Sequence, residues 1–146
     1  MDIGTLSTIF STILVLITVI VIFFQLREMR KATVATAFSN IVSFLQAEKV
    51  REARRVLMNI SEKDFTKWTP EQRVNAETAC STFDTVGIML RTNVINHALV
   101  TKEWRFAIIK CWEKAQPMIK SYREERGKDF WDDFEWIYRM AKTATS

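Results

Sequence analysis

His97 is the only histidine in this 146-residue sequence, so a histidine-pair zinc site lacks its second imidazole and a Ser-His-Asp relay rests on one residue. Cys80 and Cys111 are separated by a whole helix and do not form a zinc knuckle. There are three glycines and no two lie near each other, which removes the phosphate-cradling glycine loop. Paired carboxylates occur at Glu124-Glu125 and Asp132-Asp133, but adjacent residues on a helix point apart, so these read as solvated surface. Asp84 is the more informative acid, because Phe83 and Val86 flank it on a mostly apolar helix. A buried cationic partner such as Arg91 or Arg123 is the expected explanation. The expectation is a protein with no catalytic residue, no metal and no cofactor, hence not an enzyme.

Cations interleave with aromatics from Trp104-Arg105-Phe106 onward, a mixture that in other settings stacks bases and contacts phosphates. The aromatics fall at core spacing. What remains is Arg105, Lys110, Lys114, Lys120 and Arg126 on the more exposed side of one helix, a candidate strip for an anionic ligand such as a nucleotide. Duplex nucleic acid is not expected. Nearly all the charged residues behind the formal net charge of +4 lie after residue 26, an excess that also suits an anionic inner leaflet.

These residues hang on a membrane anchor. No charge occurs from Ile3 to Leu26, and the run from Ile9 to Phe24 is rich in Ile, Leu, Val and Phe. About 20 such residues at roughly 1.5 Å each cross the hydrocarbon layer. The start is acidic (Met-Asp-Ile-Gly-Thr) and the apolar run ends in Phe23-Phe24-Gln25-Leu26-Arg27, without the basic leader and small-residue site of a cleaved signal. Arg27, Arg30 and Lys31 follow the span. The positive-inside rule therefore places the N-terminus outside and the C-terminal part in the cytoplasm, in a cell inner membrane. Apolar Cys80 and Cys111 fit free thiols in a reducing compartment, although two cysteines leave a single disulfide open.

The expected organisation is a tail and span over 1–26, a juxtamembrane helix continuing it over 27–60, and a helical domain over 61–146. With two prolines and apolar residues three and four apart, the fold class is all-α: a single N-terminal transmembrane helix leading into a bundle of four to five helices. Ser61 to Asp64 resembles a capping box. Thr69-Pro70-Glu71-Gln72 is a cleaner helix start, with Thr as N-cap and Pro in the first turn. That helix bears Val74, Ala76, Ala79, Cys80, Phe83, Val86, Gly87 and Leu90 on its apolar side and ends near Asn93. Thr101 is expected to cap the next, with Trp104, Ile108, Cys111, Trp112, Ala115, Ile119 and Tyr122 inward and Gly127 at its end. Asp129 opens the last.

A heptad drawn through the first helix has Thr8, Val15, Ile22, Met29, Thr36, Ser43, Val50 and Leu57 at one core position. The other holds Ser11, Thr18, Gln25, Ala32, Ser39, Gln46, Ala53 and Ile60, and no charge falls on either. Small and hydroxylated residues at this spacing favour close helix approach in lipid, so Thr8, Ser11, Val15, Thr18, Ile22 and Gln25 form a candidate oligomer seam. Phe38, Ile41, Phe44 and Leu45 make a stronger apolar face, expected to pack on the chain's own core.

The stretch Tyr122-Arg123-Glu124-Glu125-Arg126-Gly127, then Phe130 and Phe134-Glu135-Trp136, resembles the C-terminal signature of a bacterial family of unknown function. The resemblance extends to Lys31-Ala32-Thr33, to Phe83-Asp84-x-Val86-Gly87 and to the helix from Trp104 to Trp112. It implies a membrane-anchored, all-helical domain and transfers no active-site residues. In layout the chain is also similar to small membrane effectors of type III CRISPR defence, in which a helical cytoplasmic domain binds a cyclic oligoadenylate. Two functions are therefore expected to compete. One is a non-enzymatic interaction module, a homo-oligomer or binder of a protein partner at the inner face of the bilayer. The other is a membrane effector gated by an anionic cyclic nucleotide, as in antiphage defence.

Overall fold

The computed structural model describes residues 2–92 and 94–143. Among them are six α-helices and no strand: α1 (Ile3–Gln46), α2 (Glu48–Asn59), α3 (Pro70–Arg91), α4 (His97–Glu103), α5 (Arg105–Arg126) and α6 (Asp132–Thr143), with a single 3-10 turn at Phe65–Lys67. Two units separate, one ending at Thr36 and one running from Ala37 onward.

The first unit is helix alone. It is long and apolar enough to cross a membrane, and its large apolar side chains from Ile3 to Leu26 are exposed. Four of its hydroxyls bond within the helix: Thr8, Thr12, Thr18 and Thr33 donate to the carbonyls of Gly4, Thr8, Leu14 and Met29. This back-bonding lets hydroxylated residues sit in an apolar run without an orphaned donor.

In the second unit the end of α1 buries Ile41 and Leu45, while α2 buries Val50, Ala53 and Leu57. The uninterrupted helix expected to Ile60 is divided at Ala47, which is extended (φ −52°, ψ 136°). The cause is not local, since Gln-Ala-Glu holds no breaker. At about 100° per residue an unbroken helix would turn Val50 and Leu57 to nearly the opposite side from Ile41. One extended residue brings both sets onto the same core. The Arg54 guanidinium, buried here, donates to the Leu45 carbonyl left open by the break.

α3 starts as its sequence predicts. Thr69 accepts from the Gln72 amide at 3.2 Å, and Gln72 accepts from the Thr69 amide at 2.9 Å. Its buried side matches expectation except at Val74, which is exposed, and it closes at Arg91; Asn93 lies outside the described residues. Ser61 to Asp64 does not form a capping box. Asp64 instead caps the 3-10 turn by accepting from Thr66. The segment before Thr101 is itself helix α4, capped by Asn96; Thr101 is buried inside it and donates to the His97 carbonyl. Gly127 ends α5 at φ 107°, as predicted. α6 begins at Asp132, later than expected, because Trp131 first turns the chain with φ 57°. At the centre Phe83 of α3 stacks on Phe134 of α6 with ring centres 5.0 Å apart, and Trp112 of α5 meets Phe134 edge-on. Both cysteines are free and buried, which closes the disulfide alternative.

A β-carbon at Gly87 would lie 2.5 Å from the Asp133 carbonyl oxygen, so α3 and α6 cross here at backbone contact. Gly87→Ala should therefore lower unfolding stability by about 1–3 kcal/mol, the usual result of overpacking, despite alanine's better helix propensity. Thermal and chemical unfolding of the full chain followed by circular dichroism measures it.

Candidate functional site

Asp84 does not pair with Arg91 or Arg123. Its carboxylate accepts from the Phe134 amide at 3.1 Å, capping the N-terminus of α6 from another helix. Trp131 precedes α6 and its indole has no oxygen to offer, so the cap comes from α3 instead. The motif Phe83-Asp84-x-Val86-Gly87 is thus a docking device: a ring to stack, a carboxylate to cap, a buried methyl pair and a bare backbone. Burial raises the Asp84 pKa, the Phe134 hydrogen bond opposes that, and nearby Asp133 and Asp132 add to the rise. Arg91 is held by Asp132 (3.3 Å) and Asp133 (2.7 Å).

The C-terminal signature is similarly built into the fold. Tyr122 donates to Glu77, and its pKa is pushed up to about 12, first by burial and then by that carboxylate. Arg123 pairs with Glu135 at 2.8 Å and donates to the Phe130 carbonyl at 2.9 Å. Arg126 lies 4.5 Å from the Tyr122 ring centre and 5.1 Å from that of Phe130. Glu135, joined by both Arg139 and Arg123, is held below the usual carboxylate range.

The cationic strip is not one surface. At about 100° per residue its five members spread over roughly two-thirds of the α5 circumference. Arg105 donates to the Ala141 carbonyl at 3.0 Å, in the last turn of α6. Lys114 donates to the Ile60 carbonyl at 2.6 Å, closing α2. Arg126 rests on aromatic faces and Lys110 is half-buried. Lys120 lines an open groove of roughly 530 Å³ with Gln116, Pro117, Arg123, Glu124 and Lys128. Lys128 was missed as a neighbour of Lys120 because it lies past Gly127, off the helix, and Arg123, three residues on along α5, reads from sequence as a partner for Asp84. Burial raises the Cys80 thiol pKa far above its ordinary value and pushes that of Cys111 up to about 12, against the pull of Arg54. Neither is a thiolate at neutral pH.

The candidate seam has a definite extent. Thr8, Ser11, Val15, Thr18, Ile22, Gln25, Met29, Ala32, Thr36, Ser39, Ser43 and Gln46 are all exposed. Past Ala47 the same register gives Val50, Ala53, Leu57 and Ile60, all buried in the chain's own core.

A family model matches residues 12–141. The chain belongs to that family, described as Domain of unknown function (DUF4760). The match begins inside the apolar part of α1 and reaches Ala141 in α6, so the DUF4760 pattern covers most of the long apolar helix and the bundle alike. No curated protein and no solved structure matches the chain.

Asp84→Ala should lose about 1 kcal/mol of stability by uncapping α6. Asp84→Asn keeps an acceptor without the charge. A group whose folded pKa is raised lends stability below its unfolded pKa and loses it as pH rises through the folded value. The Asn variant should therefore gain on wild type from pH 4 towards neutrality, checked by denaturant titration across that range. Lys114→Met should lower stability by about 1 kcal/mol, whereas Lys120→Met should stay within about 0.5 kcal/mol, in the same assay.

Proposed function

We propose that this chain is a non-enzymatic, membrane-anchored interaction module that self-associates through α1, its helical domain lying at the cytoplasmic face of a bacterial inner membrane. The observation that carries this reading is the seam. Its positions carry no charge from Thr8 to Gln46, and where α1 packs on the core Ser39, Ser43 and Gln46 stay exposed while Ile41 and Leu45 are buried; past Ala47 the same register is buried. The opposite demand on the same helix, to cover the core, is met by Ile41 and Leu45. Arg27, Arg30 and Lys31 immediately after the apolar run support the orientation. Because Thr8 and Thr18 already donate to their own helix, association would rest on their small size and close packing. A nucleotide-gated role, the alternative, would have to use the groove beside Lys120 in place of a strip along α5.

Energy transfer between donor- and acceptor-labelled full chains in lipid vesicles tests the reading. Wild type should associate at high dilution in lipid. Thr18→Leu with Ser11→Leu should weaken it several-fold, while Ile17→Leu, off the seam, should not. Dilution-independent absence of transfer for wild type would refute self-association, and equal loss at Ile17 would refute the seam.

A further inference from the structure

Phe106 is 75% exposed, more than any other large apolar side chain outside α1 among the described residues. It lies at the start of α5, off the spacing of Trp104, Ile108 and Cys111 that faces the core. Lys102 lies four residues before it, across the Trp104 break between α4 and α5, and half-buried Lys110 stands one turn after it on α5. Leu99, 55% exposed, lies seven residues before it, on α4. The inward side of the same stretch is fully used, with Val100, Thr101 and Ile108 buried, so exposure of Phe106 is not a sign of loose packing. Arg105 is adjacent, and its bond to the Ala141 carbonyl brings the last turn of α6 close, with Lys142 over the Tyr138 ring. Glu103 is the acid nearest in sequence, so the local balance is cationic.

We infer that Lys102, Phe106 and Lys110, with Leu99, form a docking surface for an anionic bilayer. The inference rests on the reading of α1 as an anchor. A ring standing out between two lysines is the composition of an interfacial element: the ring enters the headgroup boundary and the lysine stems reach back to phosphates. A second copy of the same face would set Lys102, Lys110 and Lys142 against their own likes, which argues against a homotypic contact. The anchor also keeps the domain beside a bilayer, so a weak surface contact gains a high effective concentration.

The test uses the full chain in vesicles of phosphatidylcholine, with or without phosphatidylglycerol. An environment-sensitive dye is placed at Glu103→Cys or, as a control, at Thr78→Cys; the native thiols are buried and do not compete. In anionic vesicles the dye at 103 should shift to the blue and be quenched by spin-labelled lipid several-fold more than the dye at 78. Phe106→Ser and the pair Lys102→Glu, Lys110→Glu should each abolish the difference. A chain that fails to float with the vesicles overturns the anchor reading and this inference together. A floating chain whose dye at 103 stays solvent-like, or is indifferent to Phe106→Ser, overturns the docking alone. A blue shift that follows protein density instead of lipid charge assigns the face to a second copy and also overturns it.

Discussion

Each helix leaves amides at its start and carbonyls at its end without partners inside the helix, and where such an end is buried in a bundle those groups need a partner other than water. Glycine commonly serves at C-termini, but this chain has three glycines and uses only Gly127 that way among the described residues; Gly4 lies in α1 and Gly87 at a helix crossing. Local caps finish the starts of α3 and α4, and charged side chains from neighbouring elements serve several of the other ends. Arg54 closes α1, Lys114 closes α2 and Arg105 holds the last turn of α6. Arg73 gathers the carbonyls of Thr66 and Trp68 around the 3-10 turn, and Asp84 caps α6. These bonds join elements distant in sequence, so they orient helices as well as finish them.

This constraint changes the meaning of a basic domain. A net positive charge with cations along α5 resembles an electrostatic footprint for an anion. In the fold, two of the five cations answer carbonyl dipoles and a third covers aromatic rings. The residues with the most distinctive spacing, around Asp84 and from Tyr122 to Trp136, likewise hold α3, α5 and α6 together. A bundle whose distinctive residues are engaged in its own assembly suits the proposed role as an interaction module, with the outward contacts made by α1.

Features controlled by neighbours in sequence were readable from it. Thr69, Pro70 and Gln72 announce a helix start because the capping box closes over four residues, and Gly127 announces a stop. The all-α class and the apolar side of α3 followed from periodicity. Features set by distant partners were not readable. Ala47 has no breaker beside it; the helix breaks there because residues on both sides of it need one core. Asp84 invited a cationic partner, since the sequence gives no sign that α6 would arrive without its own cap. Thr101 carries a cap residue's chemistry but sits inside α4, where Asn96 caps first. The heptad register ran on to Ile60 because periodicity is blind to a change of direction at a single residue.

The proposed association seam of α1 ends at Ala47. Single cysteines placed in turn along the full chain in native-composition membranes, then oxidised, test it directly. Cross-linked pairs are expected at Val15, Ile22, Thr36 and Ser43, with positions between them weaker, and none at the buried Val50 and Leu57. Uniform cross-linking around α1, or pairs at Val50 and Leu57 as strong as those at Thr36 and Ser43, would contradict it.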